Sequence, residues 1–239
     1  MSIQIRSTIK QAWHAVRGSK RAFFCCFLAL GLVQAILLCV QEEFNHLTHQ
    51  GSWSGPAITI LMWFMTAPIM AGFLMIGLHR ARSQAVKWKS GLLYFKSIFP
   101  LFSAYFISML TTWFSIVGSL YVLIKLLNLF ISIPSISAHY PLRILVAITL
   151  CLITFLVITA INLFFSFNAL LILDRKLPFY TAVKHSIIMT AKNFISFYGL
   201  TLLLILCNLI GACLFGIGLI WTIPLTYISI AVVYEKIYA

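Results

Sequence analysis

The sequence predicts an all-α polytopic membrane bundle of six transmembrane helices, and three observations carry that prediction. The chain is 62% hydrophobic and only 9% charged over 239 residues, whereas soluble domains average about 45–50% apolar and about 25% charged residues. Residues 194–234 contain no charge at all and are pinched by Gly211, Gly216 and Gly218, which suits two crossings joined by a tight turn. The apolar runs are continuous, whereas membrane-spanning β-strands alternate apolar and polar residues. The whole of 1–239 reads as one integral membrane domain, with spans at 22–40, 56–78, 100–124, 144–172, 194–210 and 215–234.

The first 21 residues form a basic amphipathic stretch. Ile5, Ile9, Ala12, Trp13 and Val16 recur at helical spacing, with Arg6, Lys10, His14 and Arg17 on the other side. A basic helix carrying Trp suits the headgroup layer of an anionic membrane. The first span follows as an uncleaved signal anchor, because no small-residue cleavage site succeeds it. Residues 41–55 are polar, contain Glu42 and Glu43, and lack Lys and Arg. The second span holds Pro68, where a kink is expected. Residues 79–99 are basic again, with Arg80, Arg82, Lys87, Lys89 and Lys96 beside Leu92, Phe95 and Phe99. Lys125 closes the third span, because a lysine at the bilayer centre costs about 3 kcal/mol. Residues 126–140 are apolar but contain Pro134, and read as interfacial or re-entrant. The fourth span exceeds about 30 Å of hydrocarbon and has to tilt or protrude. Asp174, Arg175 and Lys176 end it, and Pro178 opens a second amphipathic helix with Phe179, Val183 and Ile187 apolar and Lys184, His185 and Lys192 polar. Pro224 is the expected kink of the last span.

Lys and Arg set the orientation. Fifteen fall at the N-terminus, after the second and fourth spans and in the tail, against Lys125 and Arg143 on the alternate side. Cytoplasmic loops collect Lys and Arg, so both termini are expected in the cytoplasm. A seven-span arrangement, with 126–136 crossing, would place Arg175, Lys176, Lys184 and Lys192 outside. The formal charge of +13 follows from this loop bias rather than from a nucleic-acid-binding surface, and no nucleic acid partner is expected.

The chain reads as three parallel repeats of amphipathic helix, span, turn and span. The first copy aligns with the third so that Lys10 falls over Lys184, Phe23 over Phe197, Leu30 over Leu204 and Gln34 over Asn208. Thr66-Ala67-Pro68 then falls over Thr222-Ile223-Pro224, whereas the middle copy offers Thr159-Ala160-Ile161-Asn162. Within the last third, Asp174, Pro178, Ala182, Ser186, Asn193, Gly216, Gly218, Pro224 and Tyr234 follow an ordered pattern. By that pattern the chain resembles bacterial polytopic proteins of the YciC-like kind and the membrane domain fused to some glycerophosphodiester phosphodiesterases. The resemblance implies a bacterial inner-membrane location and brings no established activity; the phosphodiesterase domain itself is missing from the sequence.

The search for chemistry yields few candidates. The acids Glu42, Glu43, Asp174 and Glu235 all lie at or beyond span ends, whereas ion pathways use ionisable groups inside the membrane. Four scattered carboxylates do not form a phosphate-handling metal cluster. Gly51-Ser52-Trp53-Ser54-Gly55 has Trp where a nucleophile elbow needs Ser. Glu42, Glu43, His46 and His49 are the best ligand-like constellation, weighed against an ordinary wet loop. Cys25, Cys26, Cys39, Cys151, Cys207 and Cys213 lie in or at the ends of apolar runs, form no CxxC pair, and read as small buried hydrophobes. Gln34, Asn162, Asn168 and Asn208 are the polar residues deep in spans, as interhelical bonds or as a solute path. Gly31-x-x-x-Ala35 and Ala67-x-x-x-Ala71 point to close helix packing.

The sequence therefore predicts a non-enzymatic inner-membrane protein without cofactor, metal or catalytic residues, organising or assisting envelope components. Its expected partners are membrane lipids, anionic headgroups included, and envelope proteins. The alternative is a transporter or permeation module for an apolar or amphipathic solute.

Overall fold

A computed structural model describes residues 4–47, 54–86, 94–95, 97–131, 140–214 and 216–238. Within the helices, the side chains of 44–47, 54–57, 127, 129–131 and 140–143 are also outside the description. The chain forms two compact units, Met1–Tyr105 with Phe167–Ala239, and Phe106–Ser166. No strand occurs among the described residues, and the fold is all-α. The helices are α1 (Ile5–Val16), α2 (Lys20–Leu47), α3 (Ser54–Ala81), α4 (Ile98–Ile131), α5 (Tyr140–Leu163), α6 (Asn168–Asp174), α7 (Phe179–Lys192), α8 (Phe194–Cys213) and α9 (Leu219–Tyr238).

Six segments are long and apolar enough to cross a membrane: Lys20–Glu43, Ile58–Ala81, Ile98–Leu126, Ile144–Asp174, Phe194–Cys213 and Leu219–Tyr238. The protein is thus a multi-pass membrane protein. The helix ends differ from the expected span boundaries at three places. The first is at the third span: α4 runs through Lys125 to Ile131 instead of stopping there, and Lys125 Nζ lies 5.7 Å from the Tyr121 ring. Residues 132–139 fall outside the described residues. Secondly, the fourth span is not one helix; residues 164–167 form a turn between α5 and α6, so its excess length is taken up by a break. Lastly, the final helix begins at Leu219, because residues 216–218 are a turn in which Gly216 takes a φ of 75°. Glu42 and Glu43 also belong to α2 rather than to a loop.

In the first unit α3 is central. It packs against α2, α9, α6 and α1, and most of its apolar stretch is buried, whereas little of α2 is. Gly77 faces the backbone of Tyr227, Tyr227 Oη reaches Met70 Sδ at 4.0 Å, and Arg82 reaches Glu235. These contacts advance together, so α3 and α9 run parallel. Phe73 stacks on Tyr227 with centroids 5.2 Å apart, and Phe23 joins at 5.8 Å from Phe73. Phe197, which aligns with Phe23, stacks on Phe167 at 4.9 Å.

The amphipathic helices are not oriented by their largest apolar residues. In α1 the buried stripe is Thr8, Ala12 and Val16, packed on α9 and α3, and Trp13 stays half exposed. In α7 it is Ala182, Ser186, Met189 and Thr190, whereas Ile187 is 39% exposed. Of the apolar face read from periodicity in α1, Ala12 and Val16 are buried and Trp13 is exposed; in α7 none of Phe179, Val183 and Ile187 is buried. Lipid is as apolar as Leu, so small residues that permit close approach go inward and bulky ones face the acyl chains. In the second unit, α5 with the greater part of α4, Phe114, Trp113, Leu145 and Ile148 are all exposed.

Candidate functional site

The polar groups of the first unit converge where α1, α3, α6 and α9 end, on the sequence His79-Arg80-Ala81-Arg82. α3 stops there because Ser83 adopts a left-handed φ of 59°. The Gln84 N–H then returns to the His79 carbonyl at 2.8 Å, and the Ser83 N–H to Arg80 at 3.0 Å, a paired C-terminal capping arrangement. This closure presents two arginines to different neighbours. Arg80 Nε donates to the Ala15 carbonyl at 3.0 Å, and another of its nitrogens to the Arg17 carbonyl, capping the end of α1.

Arg82 joins the only two acids outside the 41–55 region. Its terminal nitrogens donate to Asp174 Oδ1 at 2.7 Å and Oδ2 at 2.9 Å. Its Nε donates to Glu235 Oε1 at 2.8 Å, and a terminal nitrogen lies 2.7 Å from that same oxygen. Tyr234 Oη, on a fully buried residue, donates to Asp174 Oδ2 at 3.0 Å. Arg175 Nε approaches that oxygen at 3.4 Å and its guanidinium lies 4.7 Å from the Tyr238 ring. The hydrogen bonds that Arg82 donates to Asp174, reinforced by that to Glu235 against partial burial, push its pKa above the ordinary value. Arg82 is therefore a permanent cation with a planar fork filled by two carboxylates. The arrangement acts as a latch between α3, α6 and α9.

Three of the four predicted span residues bond across a hairpin. Gln34 Nε2 on α2 donates to Thr66 Oγ1 on α3 at 3.0 Å. Asn208 Nδ2 on α8 donates to Thr226 Oγ1 on α9 at 2.8 Å. Each threonine passes its own proton to the carbonyl one turn back, Met62 or Thr222. In the second unit the roles reverse: Thr112 Oγ1 on α4 donates to Asn162 Oδ1 on α5, and Asn162 Nδ2 donates to the Ile158 carbonyl. Every spanning hairpin thus carries one amide–hydroxyl clasp, and two of them sit two residues from the predicted kink prolines, Pro68 and Pro224, inside α3 and α9. Substituting Asn208 or Gln34 by Leu should lower stability by only about 0.6 kcal/mol each, read as a small shift of the thermal midpoint in detergent.

Asn168 differs. It opens α6, is 3% exposed, and neither side-chain polar atom has a hydrogen-bond partner among the described residues. Ser186 Oγ, on the α7 face that periodicity would not choose, accepts from the Phe167 N–H at 3.3 Å in the turn before it.

Of the expected Glu42–Glu43–His46–His49 constellation, Glu42 and Glu43 are exposed on α2, whereas His49 and the His46 side chain lie outside the described residues. Of the six cysteines, all free thiols, only Cys26 is buried; Cys39, Cys151 and Cys213 are exposed on span surfaces, which corrects the uniform expectation of burial. Asp174 and Glu235 sit at span ends, where a carboxylate reads as an ordinary solvated group, so the latch is not legible in the sequence. The available signal was their rarity, as two acids on a side otherwise rich in Lys and Arg. No family model, no curated protein and no solved structure matches the chain.

Proposed function

We infer that the protein is a non-enzymatic accessory of the bacterial inner membrane, both termini cytoplasmic, that organises or assists envelope components at an anionic lipid surface. The observation that carries this reading is where the polar groups go. Gln34, Asn162 and Asn208 are bonded to a neighbouring helix instead of facing a solute path, and Asp174 and Glu235 are held by Arg82. In the six-span topology Arg82's partners are the only acids on the basic side, which leaves thirteen net positive charges there and none opposite. Such a face attracts the anionic leaflet of the cytoplasmic side. Membership of the YciC-like kind is part of the same reading and rests on the ordered residues of the shared pattern between Asp174 and Tyr234.

Native co-purification in mild detergent, read by mass spectrometry for proteins and lipids, tests it. Retained partner proteins and anionic lipids, unchanged by Asn162→Leu, are the expected result; loss of a measured solute flux on that substitution at normal expression would sink it. One observation favours the permeation alternative: the Asn168 amide, without a hydrogen-bond partner among the described residues, opens α6 after the break, and broken spans line transport sites in many carriers. There, Asn168→Leu should abolish flux without lowering the amount of folded protein.

A further inference from the structure

A groove of about 1460 Å³ opens beside the latch, between the start of α1, the junction of α7 with α8, and the end of α9. His185, Lys192 and Lys236 line it, and among the described residues no carboxylate does. Lys192 is exposed. Lys236 Nζ is steadied by neutral oxygens alone in its hydrogen bonds, donating to Thr8 Oγ1 at 3.0 Å and Ser7 Oγ at 3.3 Å. The contrast with Arg82, whose charge is matched by two acids, is direct. Along the groove stand Ile188 and Ile195, 41% and 86% exposed. Positive charge beside exposed aliphatic side chains, at the headgroup level of a multi-pass protein, is complementary to one molecule present in the surrounding phase: an anionic diacyl phospholipid, phosphate against lysine and glycerol or upper acyl chain against isoleucine.

We propose that this groove is a specific binding site for the headgroup of an anionic phospholipid, with Lys192 and Lys236 holding the phosphate. This rests on the lipid-surface reading above and names the place where it is realised. The test is native mass spectrometry of the full chain released from mixed micelles of mild detergent with equal phosphatidylglycerol and phosphatidylcholine. The wild type is expected to retain phosphatidylglycerol preferentially, and Lys192→Gln to lower the lipid-bound fraction about fivefold. Lys236→Gln should do the same. Lys184→Gln, the same charge change on α7 outside the groove, should retain the wild-type level. If Lys184→Gln loses as much as Lys192→Gln, the attraction belongs to the whole basic face; the groove is overturned and the lipid-surface reading stands. No preference for phosphatidylglycerol in the wild type overturns both. Excess inorganic phosphate should leave the lipid bound, and displacement by phosphate alone would make a free anion the ligand and overturn the lipid assignment. Should Lys192→Gln lower the thermal midpoint, Lys192→Arg keeps the charge and must restore binding; failure to do so overturns the proposal.

Discussion

Arg82→Gln should lower the stability of the folded protein by about 3 kcal/mol, more than any other single basic residue at that end of the bundle. The reason is what remains behind. Asp174, whose side chain is 11% exposed, and Glu235, 33% exposed, would lose four nitrogen contacts and face each other across the vacated fork. Removing one partner of a buried pair leaves an uncompensated charge, costing about 3–5 kcal/mol, and partial exposure at Glu235 places this case at the lower end. The measurement is the unfolding midpoint in mixed dodecylsulfate micelles. Arg82→Lys should fall between, since a single ammonium cannot grip two carboxylates with a planar fork. Combined with Asp174→Asn, the loss should be smaller than the sum of the single losses by more than about 1 kcal/mol, because the two side chains touch. An effect no larger than that of Arg21→Gln, an exposed basic residue, would show that Arg82 acts only through the positive-inside bias.

This expectation could not have come from the sequence, because Arg82 meets its partners across separations of 92 and 153 residues. Composition and continuous apolar runs did place six spans, since hydrophobic length alone distinguishes a crossing. Span ends were less legible. The cost of charge in lipid suggested that Lys125 closes a helix, yet a helix can run past the hydrocarbon and carry the lysine outward. Gln34, Asn162 and Asn208 were recognisable as polar groups in the wrong solvent, but their threonine partners were not, because a span threonine already satisfies itself on its own helix, as Thr66 does on Met62. Periodicity marks the apolar faces of α1 and α7 but does not say which of their residues pack against protein and which face lipid. Periodicity arguments assume that water is the outside, and beside lipid the inward signal is small size instead: Ala12 and Thr8, Ala182 and Ser186.

The same size rule sets the second large expectation, at a glycine that the sequence did not single out. Gly77→Ala should destabilise by about 1–3 kcal/mol, and Gly77→Leu by more. A Cβ built at Gly77 would lie 2.8 Å from the Tyr227 carbonyl oxygen and 3.0 Å from its carbon. Both atoms are backbone, so no side chain can rotate away and α3 has to separate from α9. Separation would also part the Phe73–Tyr227 stack and pull Arg82 from Glu235, so the packing seam and the latch should fail together. The small-residue pairs named in the sequence divide on this test. Ala67 and Ala71 are buried, whereas Gly31 and Ala35 face outward and nothing lies within 4 Å of a Gly31 Cβ. Gly31→Ala should therefore be neutral or stabilising by up to about 1 kcal/mol, from helix propensity alone. Unfolding midpoints of the two alanine variants, measured side by side in one detergent, read the difference. If Gly77→Ala proved as harmless as Gly31→Ala, the close parallel crossing of α3 and α9 would be wrong, and with it the register that brings Arg82 to Glu235.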